Sequence, residues 1–258
     1  MKIYLSELAC RGLIEYLESL GAELVFMTGE STPVYDAVKT HADIHMCQLG
    51  LWENSELFQG NTDRLGPNYP GNIIYNAVCT GKYFIHNLKY TDPSLMQRAQ
   101  LHHAKGTAST ACLGGCDTLW EDTPLIFVDV PQGYTRCCCL PVDDSSFITS
   151  DHGIAKALSS YDIDVLLIEK GHILLPGFDY GFIGGCCGHV MTHPATDSCT
   201  ASASADKVIV FNGDLTMHPD HRRIIDFIEA HGIKPVWFED EPLMDIGSVL
   251  VGVQKVVY

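Results

Sequence analysis

The chain is poor in positive charge. Its 258 residues include 16 lysines and arginines against 32 aspartates and glutamates, which gives a formal net charge of −16. Nucleic acids and anionic membrane surfaces bind basic protein surfaces, so we expect neither of them as a partner. A cationic small-molecule substrate would suit this negative charge. The sequence does not indicate whether the protein is a monomer or an oligomer.

The chain also lacks a long apolar run. No segment approaches the roughly 18 residues that suggest a membrane-spanning helix. The first residues, MKIYLSELACRGLIEYLESL, place Glu7, Arg11 and Glu15 where a signal peptide would have its apolar core. We therefore expect a cytoplasmic protein whose 11 cysteines are free thiols. Most of these thiols should fill the core, because free cysteine is among the most buried residue types.

What the chain does contain is a repeated pattern. Residues 133–171 read as strand, tight turn, strand, helix and strand, and residues 178–239 repeat that order. Opening strands near residues 41, 76, 134, 180 and 244 predict five units of about 52 residues, a period typical of propeller blades. The last unit runs out before its helix, and a helix and strand at the N-terminus supply the missing part.

We therefore predict an α/β fold, a closed five-unit ββαβ propeller in a single domain over residues 1–258. The segments 40–49, 135–142 and 182–190 are predicted as continuous strands. Two stretches outside the pattern, 106–122 and 191–206, are predicted as loop insertions. A two-layer α/β domain remains the alternative.

The opening strands would face the axis of such a ring, so their inward side chains would share one pocket. Since alternation turns every other residue of a strand inward, about half of the polar residues and cysteines on these strands should lie elsewhere. The candidates are His41, Asp43, His45, Cys47, Asn76, Cys79, Arg136 to Cys139, Cys186, Cys187, His189, Asp245 and Ser248.

Two of these segments suggest catalysis. On a strand, His41 and Asp43 would lie on the same face, where Asp43 can bind a cation and His41 can move protons near neutral pH. The alternative is a strand end with solvated polar residues. Cys137 follows Arg136, whose guanidinium would favour a nucleophilic thiolate. The alternative for CCCL is a buried strand, which we prefer for Cys138 and Cys139.

A metal site is a further alternative. Cys112 and Cys116 stand at a CxxxC spacing, and Cys47, Cys187, His41 and His189 offer further nitrogen and sulfur ligands for a tetrahedral ion. No second pair stands at the spacing of a zinc finger or ribbon, so we assign no metal ligand. In GGCCGH, the glycines Gly184, Gly185 and Gly188 indicate a bulge or a close approach of the backbone.

These features resemble the pentein fold of guanidino-group-modifying enzymes, which include arginine and agmatine deiminases, dimethylargininase and amidinotransferases. The shared features are five ββαβ units, a His-x-Asp pair and a strand-borne cysteine. Over nearly the whole chain, HADIHM, NAVCTGKYF, QGYTRC with FITSDHGIAKA, LPGFDYGFIGG and EPLMDIGS are similar to an uncharacterised bacterial family assigned to that group.

The resemblance implies a hydrolase or transferase in which a cysteine attacks the guanidinium carbon. A histidine acts as general acid and base, carboxylates bind the guanidinium nitrogens, and no cofactor takes part. The catalytic residues it implies are Cys137, His41 and Asp43, and the expected substrate-binding residues are Asn76, Arg136, Asp245 and Ser248.

The chain departs from characterised deiminases in two places. Those enzymes carry the nucleophile near the C-terminus after a Gly-Gly turn, whereas DIGSVLV has Val251 at about that position. No Glu-Gly-Gly-Asp stands in an earlier unit, which leaves Asp245 as the second carboxylate. A non-catalytic small-molecule-binding or interaction protein on the same scaffold is therefore a second hypothesis beside the enzyme, and a Cys/His metal-binding protein is the third.

Overall fold

The computed structural model describes residues 1–52, 55–110, 124–192 and 205–252, which contain six α-helices and fourteen strands. The helices are α1 (Arg11–Ser19), α2 (Ala42–His45), α3 (Pro93–Thr110), α4 (Thr135–Cys138), α5 (His152–Leu158) and α6 (His221–Ala230). The strands are β1 (Lys2–Ser6), β2 (Glu23–Met27), β3 (Met46–Leu49), β4 (Glu56–Gln59), β5 (Val78–Cys79), β6 (Tyr83–His86), β7 (Ile126–Asp129), β8 (Cys139–Pro141), β9 (Ser146–Thr149), β10 (Asp164–Leu167), β11 (Cys187–Thr192), β12 (Asp206–Phe211), β13 (Lys234–Val236) and β14 (Leu250–Gly252). Within these ranges, none of the helices has the length and apolarity needed to cross a bilayer.

The four sheets of the described residues contain the same arrangement of three strands. A first strand pairs antiparallel with a second, and the second pairs parallel with a third that follows a helix. The three-strand sets are β5-β6-β7, β8-β9-β10, β11-β12-β13 and β14-β1-β2. Because β14 and β1 come from opposite ends of the described chain, the two ends lie in one sheet.

Helices α1, α5 and α6 each bury one apolar face against their own sheet. Leu13 and Leu17 of α1 pack with Ile3 and Leu5 of β1 in one apolar cluster, and α5 and α6 bury apolar residues in the same way. Each such side chain contributes about 1.5–3 kcal/mol when it is fully buried. At the N-terminus of α5, Asp151 accepts a hydrogen bond from the Ile154 N–H at 2.8 Å, as its position before the helix predicts.

The α/β class is confirmed, but the prediction of a closed five-unit propeller is wrong. The strands of the described residues form four separate sheets. The first strands of the first two predicted units, β3 and β5, pair parallel through Leu49 and Cys79, so both belong to one five-stranded sheet with the order β4-β3-β5-β6-β7. The pair β3 and β4 therefore extends that sheet instead of beginning a unit of its own.

The three segments predicted as continuous strands each begin with a turn instead. Residues 42–45 and 135–138 form the single helical turns α2 and α4, and residues 183–186 form turns, so that strands begin only at Met46, Cys139 and Cys187. The reason is tertiary, because backbone groups of these turns bond to distant turns instead of a neighbouring strand. The Asp43 N–H, for example, donates to the Gly247 carbonyl at 3.1 Å.

The two predicted insertions lie mostly outside the described residues. Residues 106–110 continue α3, residues 191–192 belong to β11, and residue 206 begins β12. Residues 111–122 and 193–204 fall outside the ranges that the structure describes.

Candidate active site

Five turns, each preceding a strand of the sheets, are hydrogen-bonded to one another. They bring together residues that are far apart in the sequence. The bonds run from Asp43 N–H to the Gly247 carbonyl (3.1 Å), from Ser248 N–H to the Gly185 carbonyl (2.8 Å), from Gly185 N–H to the Cys137 carbonyl (3.0 Å), from Arg136 N–H to the Asn76 carbonyl (3.0 Å) and from Asn76 Nδ2 back to the Asp43 carbonyl (3.1 Å).

Cys137 is the thiol of this cluster. Its side chain is 2 % exposed, and its Sγ lies 3.2 Å from Asp43 Oδ2 and 3.3 Å from Asn76 Nδ2. A ring nitrogen of His41, the Cys137 sulfur and a carboxylate oxygen of Asp245 lie within 4.8 Å of one another. A thiol, an imidazole and two carboxylates therefore share one buried cluster, although Asp43 lies on the helical turn α2 and His41 directly before it, and not on the predicted strand face.

The two carboxylates are held differently. Asp245 accepts the Gly247 N–H on Oδ1 and the Phe182 N–H on Oδ2, both at 3.0 Å. Asp43 Oδ2 lies 2.6 Å from the Ser248 hydroxyl, whereas Asp43 Oδ1 has no hydrogen-bond partner within the described residues. The Nδ1 of His41 likewise lacks a hydrogen-bond partner there, and it stands 3.8 Å from Asp245 Oδ1.

Such unpaired groups are unusual in a folded protein. A buried polar atom without a partner costs about 1–3 kcal/mol relative to a bonded one. Two such atoms lie beside the Cys137 thiol. A ligand could therefore donate a hydrogen bond to Asp43 Oδ1 and form a bond with the Nδ1 of His41.

Two of the predicted substrate-binding residues use their side chains in hydrogen bonds to other groups of the protein. Asn76 Oδ1 accepts hydrogen bonds from the N–H groups of Arg136 (2.9 Å) and Cys137 (3.3 Å). Its Nδ2 donates to the Asp43 carbonyl oxygen and to the Cys137 sulfur. The Arg136 guanidinium donates to the carbonyl oxygens of Gly184 (2.8 Å) and Cys187 (3.4 Å). These contacts make Asn76 and Arg136 positioning residues, which fix the turn that carries Cys137.

The prediction that Arg136 favours the Cys137 thiolate is wrong. Burial, Asp43 and Asp245 raise the pKa of the Cys137 thiol well above its ordinary value. Burial also raises the pKa of Asp43 and takes the pKa of Asp245 to about 6, and Arg136 opposes both shifts only in part. Burial lowers the pKa of His41 to about 4, although Asp43 acts in the opposite direction. At neutral pH the cluster therefore holds a thiol and a neutral imidazole.

Glycines allow the turns to approach so closely, as the sequence predicts for GGCCGH. A Cβ on Gly185 would lie 2.0 Å from Asp245 Oδ1, one on Gly184 would lie 2.1 Å from the Arg136 carbonyl oxygen, and one on Gly188 would lie 2.2 Å from the Val249 carbonyl oxygen. Sequence reasoning missed Gly247, whose Cβ would lie 2.1 Å from that of His41. Its place between Asp245 and Ser248 is the signal that could have found it.

The other candidate residues have structural partners. His45 Nε2 contacts the Lys39 carbonyl at 2.8 Å, His189 Nε2 contacts the Pro141 carbonyl at 2.6 Å, and Cys47 Sγ donates to the Ala77 carbonyl at 3.4 Å. Cys138 and Cys139 are buried in an apolar cluster, as predicted, although Cys138 lies on the helical turn α4 and only Cys139 lies on a strand. The remaining described cysteines, Cys10, Cys79, Cys186 and Cys187, are also buried and free.

The residues of the alternative metal site are not brought together in the described part of the chain. The His/Cys/Asp group found there joins His41 to Cys137 and Asp245, without Cys47, Cys187 or His189. Cys112 and Cys116 lie outside the described residues.

A protein-family model matches residues 5–108 and 116–250 of the chain. The chain belongs to DUF6873. This is a family of unknown function, and the seven predicted site residues of this DUF6873 protein all lie within the matched ranges. Neither the curated proteins nor the solved structures contain a significant match.

Proposed function

We propose that this protein is an enzyme that acts on a guanidino or related amidine compound, with Cys137 as nucleophile and His41 as general acid and base. The observation that carries the proposal is the convergence of one thiol, one neutral imidazole and two carboxylates in a single buried cluster. A planar cation with several N–H donors is the ligand that two carboxylates hold best.

The charge of the cluster supports a cationic substrate. Burial and two carboxylates raise the pKa of Cys137. A bound guanidinium would neutralise Asp43 and Asp245 and would place a positive charge beside the sulfur, so the same carboxylates would no longer oppose the thiolate. The nucleophile would thus form when the substrate is present, and Asp43 Oδ1, which lacks a partner in the described residues, is free to accept a guanidinium N–H.

The reaction then proceeds in two steps. The Cys137 sulfur forms a bond to the guanidinium carbon after its proton passes to His41, and His41 returns a proton to the nitrogen that leaves as ammonia or an amine. A water molecule or an acceptor amine adds to the same carbon and loses its proton to His41, and the carbon–sulfur bond breaks. With water, the products are a ureido compound and ammonium, and the thiol is restored.

The position of the protein in the cell is part of the proposal. Eight described cysteines are free and buried, which suits a reducing compartment, so we infer a cytoplasmic enzyme. The His-x-Asp pair agrees with the resemblance to guanidino-group-modifying enzymes, while the use of Cys137 in place of a C-terminal cysteine departs from them.

Turnover tests this function directly. The protein is incubated with arginine, agmatine and methylated arginines, and ammonia and ureido products are measured. We expect activity that Cys137→Ser abolishes and Cys186→Ser keeps, because the Cys186 thiol lies 3.1 Å from the Ile183 carbonyl, a contact that a serine hydroxyl can replace. Ligand-induced thermal stabilisation without turnover would instead favour a non-catalytic binding protein.

A zinc ion is a second candidate for the same cluster. The His41, Cys137 and Asp245 atoms within 4.8 Å are nitrogen, sulfur and oxygen donors of the kinds that zinc binds, and the Nδ1 of His41 lacks a partner in the described residues. Metal analysis of protein purified without added metal distinguishes the two functions. One equivalent of zinc that Cys137→Ser removes would favour a metal site, and a metal-free active protein would exclude it.

A further inference from the structure

An open aromatic pocket is lined by residues that do not belong to the buried cluster. It has a volume of about 720 Å³, which falls in the range of small-molecule sites. Two of its aromatic side chains are about half exposed, Phe178 at 52 % and Tyr69 at 50 %. The lining residues are Tyr35, Asn68, Tyr69, Gln132, Tyr134 and Phe178.

Three chain segments connect residues of this pocket with residues of the buried cluster. Tyr134 precedes the helical turn that carries Cys137, and the Cys138 N–H bonds to its carbonyl at 2.9 Å. The backbone carbonyl of Tyr35 accepts the Val38 N–H at 3.2 Å, and the backbone carbonyl of Val38 accepts the His41 N–H at 3.1 Å.

The third segment runs from Phe178 to Phe182, and the Phe182 N–H donates to Asp245 Oδ2 at 3.0 Å. The pKa of the Tyr134 hydroxyl is raised chiefly by burial, and the nearby Cys137 contributes to the rise. The pocket is therefore connected to the cluster through the backbone segments that position Cys137, His41 and Asp245.

The rings of the pocket are held in place before any ligand arrives. The Tyr35 and Tyr134 hydroxyl oxygens are 3.0 Å apart, and Asn72 Nδ2 donates to the Tyr134 hydroxyl at 2.7 Å. The ring centroids of Tyr35 and Phe178 are 6.1 Å apart, and those of Tyr69 and Tyr134 are 6.2 Å apart. These separations are typical of aromatic rings in direct contact, so each pair supports the position of its two rings.

The chemistry of the lining restricts the ligand. None of the described residues that line the pocket is charged, so a carboxylate, a phosphate or an amino-acid head group finds no ion-pair partner there. Four aromatic rings instead offer apolar faces, and a volume of about 720 Å³ is much larger than a guanidinium group needs.

We propose that this aromatic pocket binds the non-reacting end of the substrate, and that this end is an uncharged aromatic group. The proposal deepens the proposed function and rests on it for the reacting end. The substrate class is then an arylalkyl guanidine or amidine, and free arginine is a poor substrate because its charged head group would meet uncharged rings.

Binding of two small probes tests this assignment. Benzylguanidine carries both ends, and benzylurea carries the aromatic ring without the cation. We expect Cys137→Ser protein to bind both, and Phe178→Ala and Tyr69→Ala in that background to weaken both by about tenfold through lost ring contacts. Phe26→Ala is the matched control, because Phe26 is 42 % exposed on β2 and does not line the pocket.

The outcomes separate this inference from the proposed function. Benzylurea binding that depends on Phe178 supports the pocket even if no guanidino compound is turned over. Unchanged binding of both probes in Phe178→Ala and Tyr69→Ala would overturn the inference, and so would free arginine binding as tightly as benzylguanidine. Circular dichroism of each variant confirms that a loss of binding does not reflect unfolding.

Discussion

Two buried cysteines near the first strands of neighbouring three-stranded sets have different surroundings. Cys137 and Cys186 both lie in a turn just before the first strand of a three-stranded set, and both are at most 2 % exposed. The Cys186 sulfur contacts the Ile183 carbonyl at 3.1 Å and belongs to an apolar cluster. The Cys137 sulfur contacts Asp43 and Asn76. Burial alone therefore does not distinguish these two thiols, and the difference lies in the side chains that other turns place beside the Cys137 sulfur.

The close approach of the turns is the feature that is most costly to remove. Gly247→Ala would force a Cβ to within 2.1 Å of the His41 Cβ at a positive φ of 71°, so we expect a loss of about 3 kcal/mol or more in the free energy of unfolding. Gly232→Ala is the control, since it has the same φ but no atom within 4 Å, and should cost about 1 kcal/mol. Urea unfolding measures both, and equal losses would mean that the contact with His41 is unimportant.

A pH-dependent effect is expected at Asp245. Its pKa is raised from 3.8 to about 6 in the folded protein. The folded state therefore binds this proton more tightly, and the resulting stability is present below about pH 4 and lost as the pH rises through 6. Two pKa units correspond to about 3 kcal/mol.

Asp245→Asn measures that contribution. The stability of the wild type minus that of the variant should fall by about 3 kcal/mol between about pH 4 and pH 7. The lowered pKa of His41 acts in the opposite direction in the same window, so the difference and not the wild-type curve isolates Asp245. Asp36→Asn, at a side chain that is 97 % exposed, controls for the loss of one charge. A constant difference for Asp245→Asn would contradict the assignment.

A smaller effect compares two buried hydroxyls. Ser248 Oγ lies 2.6 Å from Asp43 Oδ2, whereas Ser55 Oγ is buried without a partner in the described residues. Ser248→Ala should cost about 1–3 kcal/mol because a charge-assisted bond is lost, and Ser55→Ala should be neutral or stabilising. Thermal unfolding of the two variants checks this order, and the reverse order would show that the Asp43 contact contributes nothing.

Local elements could be predicted from the sequence, but their assembly could not. The order of strand, strand, helix and strand predicted for residues 133–171 and 178–239 is present as β8, β9, α5 and β10 and as β11, β12, α6 and β13. The turns at His41 and Cys137 were predicted as strands because short apolar and cysteine-rich runs do not distinguish the two. Their conformation depends on bonds to Gly247, Asn76 and Gly185, which local sequence patterns do not specify.

For the candidate site too, the sequence predicts the individual residues but not how they come together. Cys137, His41, Asp43 and Asp245 were found from residue type and repeat position, and the structure brings them together by a different backbone route. The aromatic pocket was missed because Tyr35, Tyr69, Tyr134 and Phe178 come from four separate irregular segments with no shared pattern.

Labelling of the native protein tests the central claim most directly. Chloroacetamidine is a cation and chloroacetamide is its neutral counterpart; each alkylates a thiol as a carbon–sulfur bond replaces the carbon–chlorine bond and chloride leaves. Peptide mass spectrometry compares the rates at Cys137 and Cys186. We predict that Cys137 reacts faster with the amidine than with the amide while Cys186 stays unmodified, and that Asp43→Asn removes this preference. Equal rates for both reagents at Cys137, or labelling of Cys186 first, would contradict a cation-activated nucleophile.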